Sequence, residues 1–213
     1  MSESRGTEII DATVTVVDDD DAGRESLRWL IESVGLKVVT FATPLEFLDA
    51  FDGSHPGCLV LDIRLPKISG LDLLKTIRDR GIAMPAIMIT AFGDVPMAVR
   101  AMKNGAVDFL EKPFNDQELL DRIQQSIAED ARLRRVQNER QRVVVRHTSL
   151  TSREREVMDR LIAGKQNKQI AREMEISPKT VEAHRAKVME KMGAESLVHL
   201  VQMASALQVG KIQ

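Results

Sequence analysis

Five short apolar runs alternate with segments of helical periodicity between Thr13 and about Ser126. Each run is rich in Val, Ile and Leu and shows little polar alternation, which is typical of strands buried on both faces. The runs are Thr13–Val17, Lys37–Phe41, Cys58–Leu61, Ala86–Thr90 and Asp108–Glu111. The pattern predicts an α/β fold in which helices cover both faces of a five-stranded parallel sheet.

The segments between these runs carry apolar residues at spacings of three and four, as amphipathic helices do. We predict helices over Ala22–Val34, Pro44–Phe51, Leu71–Arg80, Val95–Asn104 and Asp116–Ala128. Asn115, with Glu118 three residues later, predicts a capping box for the fifth helix.

The length and composition of the chain narrow its class. Its 213 residues suit one large domain or two small ones, and 43% hydrophobic with 29% charged residues exclude a disordered protein or a disulfide scaffold. No apolar run reaches the length of a membrane span, and residues 1–12 lack the apolar core of a secretory signal. Since the single cysteine, Cys58, has no disulfide partner within the chain, we expect a cytoplasmic protein.

The small net charge of −2 hides an uneven distribution. Residues 1–125 carry 13 Lys and Arg against 21 Asp and Glu, whereas residues 126–213 carry 17 against 11. An acidic half joined to a basic half favours cation chemistry in the first and binding to a polyanion in the second.

Polar side chains follow the predicted strands at the edge where their carboxyl ends meet, which is where parallel sheets bind ligands. The residues there are Asp18, Asp19, Asp62, Thr90-Ala91 and Lys112. Clustered aspartates need a neutralising cation, and oxygen ligands at a shallow edge suit Mg2+. A carboxylate beside Mg2+ can attack a phosphoryl group, and Asp62 is the predicted nucleophile because it ends the middle strand.

In this hypothesis Asp18 and Asp19 hold the metal, while Lys112 and Thr90 contact the phosphoryl group. Simpler roles stay open for several of these positions. Asp20 and Asp21 suit the capping of a helix, and a lone Thr90 or Lys112 would be structural or solvated. Cys58 suits a small apolar residue of the core.

The second half of the chain carries several helix boundaries in close succession. Thr151 with Glu154 predicts a capping box, Asn167 begins a short helix, and Ser177-Pro178 begins the next. Two short helices joined by a tight turn are the signature of a helix-turn-helix.

The Ser177–Met192 helix has an apolar face, on which Val181 and Val188 lie, and a polar one. The side chains suited to phosphates or base edges are Lys179, Thr180, Glu182 and Lys187, and the small Ala183 lets the backbone approach a groove closely. We expect Arg185, nearer the core side, either to reach the DNA backbone or to lock the fold. A bundle of this kind need not bind DNA, so a protein-docking role stays open.

Residues 129–147 carry six arginines and neither Gly nor Pro. They could prolong the preceding helix through an apolar stripe of Ala131, Val136 and Val143. A solvated charged helix and a semi-rigid arm between two domains are both compatible with this composition.

The strings VVDDDD, LVLDIRLPKISGLDLL and PAIMITAFGDVPMAVRAMKNGAVDFLEKPF resemble the receiver domain of two-component response regulators, above all those of the FixJ type. The resemblance covers about residues 12–128 and implies a flavodoxin-like strand order of 2-1-3-4-5. It implies Asp62 as the phosphoacceptor and Asp18 with Asp19 as the acidic pair. The Arg64 backbone carbonyl would be the remaining protein ligand of Mg2+.

The same resemblance assigns the residues that respond to phosphorylation. Thr90 would be the switch hydroxyl, next to Ala91, and Phe109 the switch aromatic. Lys112 would pair with the phosphate, and its bond to Pro113 would be cis. No key position departs from the family pattern.

The string LTSREREVMDRLIAGKQNKQIAREMEISPKTVEAHRAKVMEKMGAESLVHLV resembles the LuxR-type helix-turn-helix domain of NarL/FixJ regulators over residues 148–206. It implies that the second helix of the motif enters the major groove and that the protein binds as a dimer. We therefore assign a receiver domain to 12–128, a charged, helical linker to 129–147 and a DNA-binding domain to 148–213, with its motif at about 167–186.

Together these features predict a transcription regulator that a sensor histidine kinase phosphorylates on Asp62. It would then dimerise through its fourth helix, fifth strand and fifth helix, bind operator double-stranded DNA and contact RNA polymerase. We expect no turnover enzyme. Two alternatives are a Mg2+-dependent phosphohydrolase, which commonly has a second carboxylate where this chain has Arg64, and an adaptor whose helical part docks proteins.

Overall fold

The computed structural model describes residues 12–51, 53 and 55–208, which form two units divided between Arg134 and Arg135. This division falls inside the predicted linker. The N-terminal segment examined for a secretory signal lies, except for Ala12, outside the described residues, as do residues 209–213 of the predicted C-terminal domain.

The first unit is built on one parallel sheet. Its strands are β1 (Thr13–Val17), β2 (Lys37–Phe41), β3 (Gly57–Asp62), β4 (Ala86–Thr90) and β5 (Asp108–Glu111). Their order is β2-β1-β3-β4-β5 and every pairing is parallel, so the predicted fold class and topology are confirmed. The intervening helices are α1 (Asp21–Glu32), α2 (Pro44–Ala50), α3 (Gly70–Asp79), α4 (Val95–Lys103) and α5 (Asp116–Thr148).

Both faces of the sheet carry a core, which is why the central strands show no polar alternation. Leu59 and Leu61 of β3 pack on one face with α2, α3 and Ala101 of α4. Cys58 and Val60 of the same strand pack on the other face, with α1 and α5. Cys58 is completely buried, as expected of a core residue, and burial raises the pKa of its thiol to about 12.

Most predicted helix signals are present. Asp20 caps α1, since its carboxylate accepts from the amide of Gly23 at 3.1 Å. Asn115 likewise accepts from the amide of Glu118 at 3.2 Å. The capping box predicted there is incomplete, because the Glu118 carboxylate accepts from Arg122 instead.

The fifth helix does not stop at Ala128 but continues to Thr148, through the segment predicted as a helical linker. Asp130 anchors it within the first unit: the buried carboxylate accepts from the Gly57 amide at 3.0 Å and from Arg134 Nε at 2.8 Å. The predicted apolar stripe is only partly correct, because Val136 is 54% exposed.

The second unit consists of the end of α5 and four further helices. These are α6 (Ser152–Ile162), α7 (Asn167–Met174), α8 (Pro178–Met192) and α9 (Leu197–Gln208). Glu175 turns the chain between α7 and α8 in the left-handed region, at φ 55°. The buried residues of all four helices form one core with Leu150. Within the described part of the chain, no helix combines the length and apolar character needed to cross a bilayer.

Glu154 joins two helices of this unit. Its carboxylate accepts from the Thr151 amide at 2.8 Å and completes the predicted capping box at the start of α6. The same oxygen accepts from Lys191 Nζ, near the end of α8, at 2.6 Å. The hydrogen bond from Lys191, followed by that from the Thr151 backbone, lowers the pKa of Glu154 to about 2.

Replacing Glu154 with Gln is expected to destabilise the second unit by about 1 kcal/mol, because the cap weakens and Lys191 loses its partner. Since pairing lowers the pKa of Glu154, its contribution is complete above about pH 4.5 and declines as the pH falls towards 2. The difference between E154Q and the unmodified chain should therefore be larger at about pH 7 than at about pH 3, in urea unfolding followed by far-UV circular dichroism.

The matched control is Glu156→Gln, which removes only an exposed ion pair with Arg153 on the same helix. Fluorescence of Trp29, the chain's one tryptophan, follows the first unit separately because Trp29 lies in α1. An equal loss of stability at both pH values would contradict the role given to the charge of Glu154.

Candidate functional site

An acidic pocket lies at the carboxyl ends of the central strands. Val17 and Leu61 are paired across β1 and β3, so the residues that follow them, Asp18 and Asp62, come side by side. Asp18 is completely buried and Asp62 is 7% exposed. Lys112, which follows β5, reaches both carboxylates: its Nζ lies 2.8 Å from Asp18 Oδ2 and 2.7 Å from Asp62 Oδ2.

Backbone amides hold the two carboxylates in place. The Asp20 amide donates to Asp18 Oδ1 at 2.9 Å, and the Arg64 amide donates to Asp62 Oδ1 at 2.8 Å. Arg24 of α1 adds a third constraint, since its Nη1 donates to the Asp18 carbonyl at 2.7 Å. The side chains that face one another are therefore oriented before any ligand arrives.

The pocket holds more negative than positive charge. Burial by itself would lower the pKa of Lys112, but its hydrogen bonds with Asp18 and Asp62 outweigh that effect and raise its pKa above the usual value. Lys112 therefore stays protonated, and one ammonium faces two buried carboxylates. A further cation at this edge would neutralise the remaining charge.

The donor set fits Mg2+ in chemistry. Asp18 and Asp62 supply carboxylate oxygens, and the exposed Asp19 stands next to them in sequence. Among the described residues, no three or more His, Cys, Asp or Glu side chains form a ready cluster for a metal. That is compatible with Mg2+, which uses one or two carboxylates and keeps several waters, and the Arg64 carbonyl could complete the set.

The other predicted switch residues lie in or directly after β4 and β5. Thr90 is completely buried at the end of β4, and its carbonyl accepts from the Lys112 amide at 2.7 Å. Ala91 is exposed beyond it, and Phe109 is half-buried in β5. The Lys112-Pro113 bond is cis, as the resemblance implied.

Position 70, behind the pocket, requires a glycine, and no sequence pattern indicated this requirement. Its amide donates to the Ile63 carbonyl at 2.9 Å, and a Cβ at this position would lie 2.1 Å from the Asp62 carbonyl oxygen. The start of α3 can therefore approach the end of β3 only because no side chain intervenes. The sequence pattern that could have indicated a helix starting at Gly70 is the N-cap residue Ser69 directly before it.

The predicted DNA-facing side of α8 is exposed in the structure. Val181, Val188 and Met192 are completely buried, which fixes the orientation of the helix. The residues on its exposed side are Lys179, Thr180, Glu182, Ala183 and Lys187. None of these side chains forms an ion pair with a described residue.

Arg185 differs from the other candidate DNA contacts. It is half-buried, and its Nη1 lies 3.5 Å from Asn167 Oδ1 at the start of α7. The two expected roles of Arg185, reaching the DNA backbone around the rim or locking the fold, stay predictions. His184 is half-buried beside Arg185.

Replacing Gly70 with Ala is expected to destabilise the first unit by about 1–3 kcal/mol, the usual cost of overpacking. The added methyl group meets backbone, which can move away only by displacing Asp62. Gly23→Ala is the matched control, since the nearest atoms to a Cβ there belong to side chains, first the Asp20 carboxylate at 2.9 Å, and not to backbone. Urea unfolding followed by Trp29 fluorescence compares the two, and equal stability of both variants would contradict the contact.

Comparison with known proteins agrees with this geometry. A sequence model of the response regulator receiver domain matches residues 14–124, and one of the luxR family of bacterial regulatory proteins matches residues 148–204. The transcriptional regulatory protein FixJ of Azorhizobium caulinodans is 49% identical over 191 residues, 90% of each chain. The transcriptional regulatory protein TdiR of Thauera aromatica is 41% identical over 198 residues, 92% of this chain and 87% of its own.

Solved structures give the same relationship. The response regulator StyR matches with a TM-score of 0.87 at 43% identity, over 91% of this chain and 98% of its own. Full-length FixJ from B. japonicum matches with a TM-score of 0.57 at 45% identity, over 92% and 97%. The chain therefore belongs to the FixJ-type response regulators of two-component systems, in which a receiver domain is joined to a LuxR-type DNA-binding domain that regulates transcription.

Proposed function

We propose that a sensor histidine kinase phosphorylates this regulator on Asp62, and that phosphorylation promotes dimerisation and binding to operator DNA. The observation that carries the proposal is the bridge that Lys112 makes between Asp18 and Asp62. It supports a site in which one carboxylate accepts a phosphoryl group while an ammonium and a second carboxylate stand ready beside it.

In the transfer step, an Asp62 carboxylate oxygen attacks the phosphorus of a phosphohistidine. The new O–P bond forms as the P–N bond breaks, and the histidine nitrogen keeps the electron pair. Lys112 then pairs with the oxygens of the transferred group. Mg2+, held by Asp18, Asp19, Asp62 and the Arg64 carbonyl, would offset the charge of that group.

The proposed response to phosphorylation starts at Thr90 and Phe109. The Thr90 hydroxyl turns towards the phosphoryl group, and the half-buried Phe109 ring moves inward. The proposed dimer surface is formed by α4, β5 and the first part of α5. Apolar residues exposed on or beside it support this assignment: Val95 (76%), Val99 (47%), Met102 (50%) and Val107 (46%).

The proposed output is transcriptional control by the second unit. Dimerisation brings two copies of α8 to two half-sites, so that modest affinities combine through effective concentration. Recruitment of RNA polymerase and a cytoplasmic location belong to the same proposal, since a regulator of this family acts where its DNA lies.

We further propose that the aspartyl phosphate is a signal and not a turnover intermediate. Arg64 occupies the position two residues after Asp62, where a phosphohydrolase would commonly place a second carboxylate. Release of phosphate from small phosphoesters at enzyme-like rates would favour the phosphohydrolase alternative.

Replacing Asp62 with Asn should abolish formation of the acyl phosphate, because a neutral amide is no nucleophile for phosphorus. With a small phosphodonor such as acetyl phosphate and Mg2+, intact mass spectrometry should show one added phosphoryl group on the unmodified chain and none on D62N. Light scattering should show a larger mass only for the phosphorylated chain.

Asp79→Asn is the matched control, because this aspartate ends α3 on the exposed surface away from the pocket. It should be phosphorylated like the unmodified chain. Equal phosphorylation of D62N would place the acceptor elsewhere. Phosphorylation with no increase in the particle mass measured by light scattering would contradict the proposed dimer.

Replacing Lys187 with Gln should weaken binding to duplex DNA at every sequence and reduce the slope of log affinity against log salt by about 0.9, because one phosphate contact is lost. Fluorescence anisotropy with one labelled duplex over a series of salt concentrations measures both quantities. Lys75→Gln, on the exposed side of α3, is the charge-matched control. An affinity and a slope that match those of K75Q would contradict DNA contact at Lys187.

A further inference from the structure

An open groove of about 630 Å3 lies within the second unit, between the C-terminal part of α5 and α9. Each helix lines the groove with residues that recur at spacings of three and four, so each presents one face to it. The residues on which the argument depends are Val136, Arg140, Arg142 and Val143 of α5, with His199 and Met203 of α9. At the helical rise of about 1.5 Å per residue, the wall formed by residues 136–146 is about 15 Å long. The groove therefore has the length of a helix of about three turns.

The floor of the groove is apolar. Met203 belongs to the core of the second unit and is only 6% exposed, and Val143 packs against the same core. Val136 lies on the same side of α5, two helical turns earlier, yet it is 54% exposed. The apolar stripe of α5 therefore continues into the groove, where it faces open space instead of another part of the described chain.

The rim of the groove is positively charged. Arg140 and Arg142 are exposed, and neither forms an ion pair with a residue in the part of the chain that the structure describes. Arg146 lines the groove as well, and its Nη1 donates to the Met192 carbonyl at 3.0 Å, which holds the guanidinium in place. Glu139 is the one carboxylate among the described lining residues, so three arginines stand against a single acid.

We propose that this groove binds an acidic amphipathic helix of a partner protein. An apolar floor between two helices fits the apolar face of a third helix, whose anchoring side chains recur at i, i+3, i+4 and i+7. The arginines of the rim fit Asp and Glu side chains along the polar side of that helix. Charge selects the occupant, since a basic helix would be repelled and an uncharged one would leave the guanidinium groups unpaired. The inference goes beyond the proposed function and does not rest on phosphorylation of Asp62.

Duplex DNA is the other acidic polymer that a regulator of this family meets, and it fits the groove less well. Phosphates are bound by exposed cations and need no apolar floor. The apolar surfaces of Val136, Val143 and Met203 would therefore gain nothing from a DNA backbone. An amphipathic helix uses the floor and the rim together, and it gives three of the six arginines in residues 129–147 a role beyond solvation.

The experiment titrates a fluorescein-labelled peptide with the unphosphorylated full-length chain and measures fluorescence anisotropy. The peptide has about 14 residues, or about four helical turns, with Leu at positions i, i+3, i+4 and i+7 and with Glu and Ala elsewhere. One comparison peptide has the same composition in scrambled order, which removes the apolar face. A second has Lys in place of every Glu. We expect the acidic amphipathic peptide to bind about tenfold or more tightly than either comparison peptide.

Variants of the rim and of the floor test the two parts of the groove separately. Arg140→Gln and Arg142→Gln together should weaken binding of the acidic peptide about tenfold, since each exposed ion pair contributes about two- to fivefold. Val136→Ser should weaken it about three- to tenfold, because part of a valine side chain is no longer buried on binding. The matched controls are Arg153→Gln on α6 and Val198→Ser, an exposed position of α9 outside the groove. Both should bind the peptide like the unmodified chain.

Circular dichroism checks that each variant is folded, as expected since the replaced side chains are exposed. Equal affinity for the acidic and the scrambled peptide would overturn the proposal, as would unchanged affinity in V136S or in the double arginine variant. A loss in V198S as large as that in V136S would place the peptide on another face of α9 and would overturn it too. Weaker binding of the double arginine variant to an unrelated DNA duplex, with unchanged peptide binding, would assign the arginines to DNA and likewise overturn the proposal.

Discussion

The first unit depends on one arrangement of charge: two buried carboxylates, Asp18 and Asp62, share a single ammonium from Lys112. Burying like charges a few ångströms apart is unfavourable unless a cation compensates them. The three residues follow or end three different strands, so only the parallel sheet order brings them together. Two further residues support this arrangement. Gly70 lets α3 approach the Asp62 carbonyl closely, and Arg24 of α1 donates a hydrogen bond to the Asp18 carbonyl.

Much of this arrangement could be predicted from the chain itself, for two physical reasons. Strands buried on both faces lose their polar alternation, so β1, β3 and β4 stand out as continuous apolar runs. The ends of parallel strands share one edge, so the residues after each run identify the pocket. The features that could not be predicted depend on contacts between segments that are far apart in the sequence. No periodicity reports that Gly70 touches a carbonyl oxygen, or that Arg64 and Phe92, 28 positions apart, meet face to face.

In the linker and the second unit, composition alone predicts neither which apolar residues are buried nor which cations are unpaired. The segment 129–147 lacks a helix-breaking residue and is indeed helical, but its predicted apolar stripe is only partly correct: Ala131 is buried and Val136 is exposed. Part of the positive charge of the second half is also neutralised by ion pairs within the second unit. Lys191 pairs with Glu154, and Arg160 and Lys165 both pair with Glu173. Fewer cations than the 17 Lys and Arg of residues 126–213 are therefore left for phosphates, which makes the proposed dimer more important for binding DNA.

Two kinds of interaction at and beyond the pocket differ in burial and in strength. Losing Lys112 would leave the buried carboxylates of Asp18 and Asp62 without compensation unless another cation took its place. The contact between Arg64 and Phe92 is exposed, and such contacts are worth only about 0.5–1 kcal/mol. A contact this weak opens often, and its strength can change without harm to the core. The buried ion pairs therefore fix the geometry of the pocket, while the exposed contact beyond it can change without disturbing that geometry.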